Sequence, residues 1–201
     1  MKKFNNELME KQLSKYRIYG RSKGRKRIKS IDNNFFNAHK INIKKDLKKN
    51  KKNIKKDLKK NKKNILDIGS GNGENSLFLA NKNPNALIVA VEIFQDGNIN
   101  LCNQISNLKL NNIKLYLSNV LELFDQIKKE DFFNEIWILF PDPWPKKRHY
   151  KRRLINENFF KKICPFLKKN GKIFIATDSA SYLRSIMNSI YQTKLLFNWH
   201  N

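Results

Sequence analysis

The chain has 201 residues, 40% of them hydrophobic, which is enough for one domain with a packed core and marginal for two. Lys and Arg number 42 against 17 Asp and Glu, and this net charge of +25 indicates a polyanionic partner, nucleic acid first and an anionic membrane surface second. The N-terminal residues lack the apolar run of a signal peptide, and no stretch approaches the length of a membrane span, so we expect a cytoplasmic protein. Of the two polyanions we favour nucleic acid, and we expect no membrane partner.

Two basic segments precede the hydrophobic part of the chain. Residues 1–41 are predicted to form a basic N-terminal arm, in which YRIYGRSKGRKR at 16–27 mixes tyrosines with arginines and lysines. Such a segment is either a solvated tail or a flexible arm that becomes ordered on RNA or DNA. The sequence NIKKDLKKNKK then occupies 42–52 and again 53–63. We interpret residues 42–63 as a low-complexity linker expanded by duplication, which becomes helical when its charge is neutralised.

Short apolar runs alternate with helical patterns from residue 64 onward, and we assign residues 64–201 to one domain. Strands are predicted at 64–69, 86–92, 112–120, 135–140 and 171–178, and helices at 74–83, 97–110, 121–130, 154–168 and 181–192. This alternation predicts an α/β fold, a mostly parallel twisted sheet with helices on both faces. Such sheets bind their ligands at the carboxyl ends of the strands, and the functional residues are expected there.

The loop after the first strand, LDIGSGNGE, carries glycines at 69, 71 and 73. The dinucleotide-binding fingerprint requires a different spacing, and Glu74 would repel a pyrophosphate. Asp67 adds a second negative charge, so a cationic ligand fits better, and S-adenosylmethionine carries a sulfonium and an ammonium group. Glu92 ends the second strand, where a carboxylate can accept hydrogen bonds from both ribose hydroxyls. Three glycines alone are also compatible with an ordinary tight turn.

The turn after the fourth strand, FPDPWPKKRHYKRR at 140–153, is the most unusual stretch of the chain. Its three prolines restrict the backbone and would hold Asp142 at one position. Trp144 either stacks on a base or supports the turn as a buried aromatic. The basic cluster that follows can hold phosphates, which position a nucleic acid without reading its sequence. The stretch thus indicates an acid at a cofactor site beside a polyanion-binding surface.

This turn resembles the signature of the bacterial tRNA (guanine-N7)-methyltransferases, and the glycine loop is generic to class I methyltransferases. The resemblance runs from about Arg17 through Asp178 and beyond, interrupted by the Lys-rich repeat, and YGRSKGR is similar to the arginine-rich arm of that family. It implies a Rossmann-like class I fold, S-adenosylmethionine as cofactor, tRNA as partner, and methyl transfer to N7 of a guanine in the variable loop.

The resemblance also implies roles for individual residues. It makes Asp142 both a cofactor contact and the proposed catalytic residue, either through its charge or through a hydrogen bond to the guanine. The other expected cofactor contacts are Asp67, Gly69, Gly71, Gly73, Glu92 and Asn119. The expected substrate contacts are Lys146, Arg148, Lys151, Arg152, Arg153 and Asp178.

Two departures from the family pattern affect these expectations. Asn119 stands where the family usually has aspartate, and an amide can still bond to adenine, with weaker binding. The family normally continues with a final strand pair and a T-K-F-E-like substrate motif that nothing here matches, so we expect an incomplete C-terminal strand pair. An RNA-binding protein with weak or no catalysis is therefore the alternative to the enzyme. An amino-methyltransferase is the other rival, but its D/N-P-P-Y/F turn is not present.

The two cysteines, Cys102 and Cys164, are far apart and match no metal-ligand spacing. We therefore expect reduced thiols and no metal site. We expect a monomer or a weak homodimer.

Overall fold

The computed structural model of the protein describes Tyr16, Arg17, Tyr19, residues 53–127 and residues 130–193, with main chain only at 53–55. The rest of the predicted arm, the first copy of the repeat at 42–52 and the expected C-terminal edge at 194–201 lie outside the described residues.

The described residues form a single sheet flanked by helices. The strands are β1 Lys63–Ile68, β2 Ala86–Val91, β3 Ile113–Tyr116, β4 Phe133–Leu139 and β5 Leu167–Ala176. The α-helices are α1 Asn53–Lys60, α2 Glu74–Lys82, α3 Gln95–Asn107, α4 Val120–Gln126, α5 Glu157–Ile163 and α6 Ala180–Gln192. Two short 3₁₀ helices span Lys147–Arg152 and Cys164–Phe166.

The strand order is β3-β2-β1-β4-β5, and all four neighbouring pairs are parallel. This confirms the predicted α/β class and the parallel sheet. Each predicted strand is present, with shifted ends. β3 ends at Tyr116 because Asn119 already caps α4, where its side chain accepts a hydrogen bond from the Leu121 amide at 2.9 Å. β5 starts early, at Leu167, and its pairing with β4 shifts register between Phe133 and Glu135.

Apolar side chains cover both faces of the sheet because parallel strands are buried on both sides. One cluster joins Leu66 and Ile68 of β1 to side chains of α4, α5 and α6. The other joins Ile65 of β1 to side chains of α2 and α3. Successive side chains of β1 point to opposite faces, so its residues are divided between the two clusters. Because both faces are covered, a ligand can reach β1 at its carboxyl end, where the loop to α2 begins.

Helix α1 forms in the second copy of the Lys-rich repeat and belongs to the packed core. Leu58 is 2% exposed and lies in the cluster under α4, α5 and α6. The Asn64 side-chain amide donates to the carbonyls of Leu58, at 2.7 Å, and Phe132, at 3.0 Å. The strong charge of the repeat predicts a linker at residue 58. In the structure, the buried Leu58 side chain instead attaches this lysine-rich helix to the core.

The buried position of Leu58 predicts that Leu58→Ala lowers the free energy of unfolding by about 3 kcal/mol, because the substitution opens a cavity in the core. Lys60→Ala, on the exposed side of the same helix, serves as the matched control and should change it by less than about 0.5 kcal/mol. Urea denaturation followed by circular dichroism measures both. Equal losses for the two variants would contradict the packing of α1.

The repeat itself offers a second control. Deleting residues 53–63 brings the identical copy 42–52 directly before Asn64, so the sequence of α1 and its leucine are restored. The shortened chain should therefore keep the free energy of unfolding of the full chain. A loss comparable to that of Leu58→Ala would show that the presence of both copies, and not the sequence of α1 alone, stabilises the fold.

Candidate active site

A cavity of about 780 Å³ opens at the carboxyl edge of the sheet. The ends of β1, β2 and β4, the loop after β3, and Tyr16, Arg17 and Tyr19 of the N-terminal segment contribute to its wall. The cavity brings together seven of the predicted site residues: Gly69, Glu92, Asn119, Asp142, Lys151, Arg152 and Arg153. Asp67, Gly71, Gly73, Lys146, Arg148 and Asp178 do not line it.

The three glycines of the first loop have different reasons to be glycine. All have positive φ angles, 75° at Gly69, 55° at Gly71 and 91° at Gly73, which disfavour other residues. A Cβ built on Gly69 or Gly71 meets nothing within 4 Å, so the backbone there faces open space that a ligand can approach. A Cβ on Gly73 would lie 2.4 Å from Leu101, so this glycine allows α3 to pack against the loop.

Gly97 is a structural residue of the site that sequence reasoning missed. A Cβ at this position would lie 2.3 Å from the carbonyl oxygen of Gly71, so only glycine lets the first turn of α3 press against the loop. The available signal was a glycine at the start of a predicted helix, where its helix propensity is poor.

The Glu92 carboxylate organises the floor of the cavity. Oε2 accepts a hydrogen bond from the Gly71 amide at 2.8 Å, and Oε1 accepts from the amides of Ile93 at 2.7 Å and Phe94 at 2.8 Å. One side chain thus ties the loop after β1 to the loop after β2. Its oxygens keep further lone pairs, and Glu92 lines the cavity, where a ribose contact is predicted.

Asp67 supports the same loop from below. It is 2% exposed and accepts hydrogen bonds from the Ser76 hydroxyl at 2.6 Å and the Asn75 side-chain amide at 3.0 Å. Burial raises the pKa of Asp67, and these two hydrogen bonds partly offset that effect. The geometry gives Asp67 a role in fixing α2 beneath the loop, whereas a direct ligand contact was predicted.

The proline-rich turn carries Asp142 to the rim of the cavity, where the side chain is exposed. Phe140 and Trp144, which flank the three residues 141–143, have φ angles of 49° and 43°. Such left-handed conformations are uncommon outside glycine and cluster at functional sites. Trp144 is half-buried, with its ring 6.3 Å from that of Tyr19 and the Arg152 guanidinium 5.0 Å from its centre.

The basic cluster after the turn divides into exposed and enclosed residues. Lys146, Arg148 and Lys151 are exposed on or beside the 3₁₀ helix Lys147–Arg152. Arg152 is half-buried, and its Nε has no hydrogen-bond partner in the part of the chain that the structure describes. Partial desolvation and repulsion from Arg152 and the neighbouring cations lower the pKa of His149, which favours a neutral imidazole beside them.

The last two predicted substrate residues take different positions. Arg153 is only 3% exposed, so the phosphate contact predicted for it does not fit the structure. A run of arginines in the sequence gives no sign of which member turns inward. Asp178 is exposed in the turn between β5 and α6, outside the cavity.

Three residues of the predicted N-terminal arm reach this site. The Tyr16 hydroxyl donates to Asp125 at 2.8 Å and accepts a hydrogen bond from Lys162, and Lys162 forms an ion pair with Asp125 at 2.7 Å. Arg17 and Arg152 both lie over the Tyr19 ring, at 5.3 and 5.4 Å. Tyr16 is thereby attached to α4 and α5, and Tyr16, Arg17 and Tyr19 contribute two aromatic rings and one cation to the cavity wall.

Within the described ranges, no helix is both long and apolar enough to cross a membrane.

Solved structures share this architecture. The structure of a precorrin-6y C5,15-methyltransferase from Geobacter metallireducens superposes with a TM-score of 0.52 at 18% identity, covering 68% of both chains. A structure described as a methyltransferase from Streptococcus mutans in complex with SAH gives 0.50 at 14% identity, covering 66% of this chain and 73% of the other. Strand order, glycine loop and these neighbours together define a Rossmann-like class I methyltransferase fold.

Sequence comparison gives the particular family. The family model described as "Putative methyltransferase" matches residues 61–201, and the chain belongs to this family. Curated relatives named tRNA (guanine-N(7)-)-methyltransferase come from Methylobacillus flagellatus, at 34% identity over 66% of this chain, and Nitrosomonas europaea, at 35% over 66%. A third, from Mycoplasmopsis pulmonis, is 36% identical over 65% of this chain. They confirm the resemblance that the proline-rich turn predicted.

The chain matches only part of each of these relatives. The aligned region spans 56%, 59% and 63% of their own lengths, respectively.

The three backbone hydrogen bonds to Glu92 predict that Glu92→Gln weakens S-adenosylmethionine binding at least about tenfold, equivalent to about 1.4 kcal/mol. The amide nitrogen of glutamine cannot accept from an N–H group, so one side of the loop junction would be lost. Titration calorimetry measures the affinity. Glu74 is exposed at the start of α2, so Glu74→Gln removes the same charge and should change the cofactor affinity little. An unchanged affinity for Glu92→Gln would contradict the assigned role.

Proposed function

We propose that the protein transfers a methyl group from S-adenosylmethionine to N7 of a guanine in the variable loop of tRNA. The observation that carries this proposal is the position of Asp142 at the rim of a cavity that also contains Glu92 and Asn119, directly beside exposed cations. The names of the relatives support the same activity and substrate.

The residues present fit such a cofactor. Gly69 and Gly71 leave open space over the loop, and the buried Ser70 hydroxyl has no hydrogen-bond partner among the described residues. Glu92 would accept from ribose hydroxyls and Asp142 would lie near the cationic part, so the acids match the charge of the ligand. S-adenosylmethionine, when bound, supplies an electrophilic methyl group on a positively charged sulfur.

Asn119 would meet the adenine ring. Its Oδ1 is engaged by the Leu121 amide at 2.9 Å, so the side-chain NH₂ is the group with a donor left for the base. An adenine ring nitrogen is an acceptor and can take that donor. The asparagine that replaces the usual family aspartate would therefore change which edge atom of adenine is read, while still binding the base.

Methyl transfer to guanine N7 requires that the protein align the reacting atoms and stabilise the charge that develops. Guanine N7 is a lone pair without a proton, so no general base is needed. The protein must hold N7, the methyl carbon and the sulfur in line, which is catalysis by positioning. Positive charge moves to the guanine ring during transfer, and the fixed carboxylate of Asp142 would stabilise it. A hydrogen bond from the guanine edge to the same carboxylate would set the angle.

The surface around Asp142 suits an extruded base on an RNA. Phe140 is 65% exposed at the cavity rim and offers an aromatic face for stacking. Lys146, Arg148 and Lys151 would contact phosphates and orient the tRNA without reading its sequence. The half-buried Trp144 fits the supporting role better than the stacking one. A cytoplasmic location agrees with a tRNA substrate.

The non-catalytic RNA-binding alternative is not favoured. The glycine loop, Glu92 and Asp142 converge on one cavity, which binding of RNA alone would not require. An amino-methyltransferase would carry a Pro-Pro turn, and this chain has Pro143-Trp144 after Asp142.

The proposed role of Asp142 is tested by Asp142→Asn, which keeps the shape of the side chain and removes its charge. We expect turnover with tRNA to fall about a hundredfold, or about 2.7 kcal/mol, with much smaller changes in cofactor and tRNA affinity. Single-turnover assays with methyl-labelled cofactor, read by mass analysis of the tRNA nucleosides, measure the rate and the product. Asp131→Asn, exposed just before β4 at the other edge of the sheet, is the control and should retain the full rate.

The phosphate contacts predict a specific salt dependence. Arg148→Ala and Lys151→Ala should each reduce the slope of log affinity against log salt concentration for tRNA by about one. Lys82→Ala, exposed at the end of α2, loses the same charge and should leave the slope closer to that of the parent protein. Fluorescence anisotropy with labelled tRNA measures the slopes. Identical slopes for all variants would mean that these cations do not contact the RNA.

A further inference from the structure

Arg153 differs from the other cations of the basic cluster because it turns into the protein. It is 3% exposed, although it follows exposed Lys151 by two residues. We infer that Arg153 is a positioning residue, which fixes the main chain of the Asp142 turn against the start of α6. This inference rests on the proposed function for its catalytic consequence, and on the contacts of Arg153 for its structural part.

The guanidinium group joins two segments that are distant in sequence. Nε donates to the carbonyl of Pro143 at 2.8 Å. The two terminal nitrogens donate to Ser181, one to its carbonyl at 3.2 Å and the other to its hydroxyl at 2.9 Å. Charge-assisted hydrogen bonds with this fork geometry restrict both position and angle, which a single point charge cannot do. Arg153 thus connects the residue after Asp142 to the first turn of α6.

Two tyrosine rings hold the guanidinium in place. It lies 3.7 Å from the ring centre of Tyr150 and 4.8 Å from that of Tyr182. The Tyr182 hydroxyl in turn accepts a hydrogen bond from the Ile155 amide at 2.9 Å, which fixes the chain just after Arg153. Burial raises the pKa of Tyr182 to about 12, so the phenol stays neutral and the arginine remains the charged member of the group.

The proline-rich turn at 141–145 depends on hydrogen bonds from other parts of the chain. Pro141, Pro143 and Pro145 have no N–H group, so the segment has few donors with which to build its own hydrogen bonds. Phe140 and Trp144 adopt left-handed conformations that cost free energy and persist only where the surroundings enforce them. The Arg153 bond to the carbonyl of Pro143 acts directly before Trp144. It therefore stabilises the strained conformation that places Asp142 at the cavity rim.

This role and a phosphate contact make opposite predictions for two substitutions. Arg153→Lys keeps the charge, but its three donors sit on a single nitrogen and lack the planar fork whose three separate nitrogens reach Pro143 and both Ser181 acceptors. A phosphate contact would tolerate lysine, whereas a positioning residue would not. Arg153→Met removes the charge, so a phosphate contact would lose about one unit of salt slope, whereas a positioning residue would leave the slope of tRNA affinity unchanged.

The experiment measures kcat, KM for tRNA, cofactor affinity and the salt slope in the full chain. For Arg153→Lys we expect kcat to fall between about tenfold and a hundredfold, with KM and cofactor affinity within about twofold, because only the alignment is lost. Arg184→Lys, on the exposed face of α6, is the matched control and should keep kcat. Ser181→Ala should lower kcat less, and its effect should not add to that of Arg153→Lys, because both act through one contact.

Amide hydrogen exchange over residues 144–154 gives a readout that does not depend on activity. We expect faster exchange in this segment in Arg153→Lys, with protection in β1 and β2 unchanged, which shows that the domain is still folded. Unchanged kcat in a folded Arg153→Lys, or a reduced salt slope in Arg153→Met, would overturn the inference. If the parent protein formed no 7-methylguanosine, the proposed function would fail. The positioning role of Arg153 is tested separately: unchanged hydrogen exchange over 144–154 in Arg153→Lys would refute it, whatever the activity.

Discussion

The central position of β1 is the constraint on which the site depends. β1 pairs with β2 on one side and with β4 on the other, so the loops that follow these three strands emerge side by side at the carboxyl edge. The chain runs outward in opposite directions from this point, which opens a crevice between the loops. Gly69, Glu92 and Asp142, at 69, 92 and 142 in the sequence, meet in that crevice only because the strand order places them there.

The three acids near the crevice show how environment separates residues of one type. Asp67 is buried and fully engaged with Ser76 and Asn75, so it supports structure. Glu92 is engaged by three backbone amides and still lines the cavity. Asp142 is exposed at the rim, and the Arg153 guanidinium donates to the carbonyl of the next residue, Pro143. Under the proposed function, Asp142 is the acid of these three whose carboxylate would respond to charge that develops on a substrate.

The sequence predicted the strands and the strand-end positions because parallel strands are continuous apolar runs, and polar residues after them can only lie at the edge. It could not separate neighbours within a cluster of one type. Arg153 and Lys151 look alike in a basic run, yet one is buried and the other exposed. Gly73 and Gly69 also look alike, yet one packs against Leu101 and the other faces open space. Such differences depend on the side-chain packing of distant segments, which spacing alone does not encode.

The claim that the β1, β2 and β4 loops form one methyl-transfer site is tested most directly by a crystal structure of the chain with S-adenosylhomocysteine. We predict that the ribose hydroxyls lie within hydrogen-bond distance of the Glu92 carboxylate, about 3 Å, and that the sulfur faces Asp142 across the rim. A ligand bound elsewhere, or one whose sulfur points away from the Asp142 turn, would contradict the account.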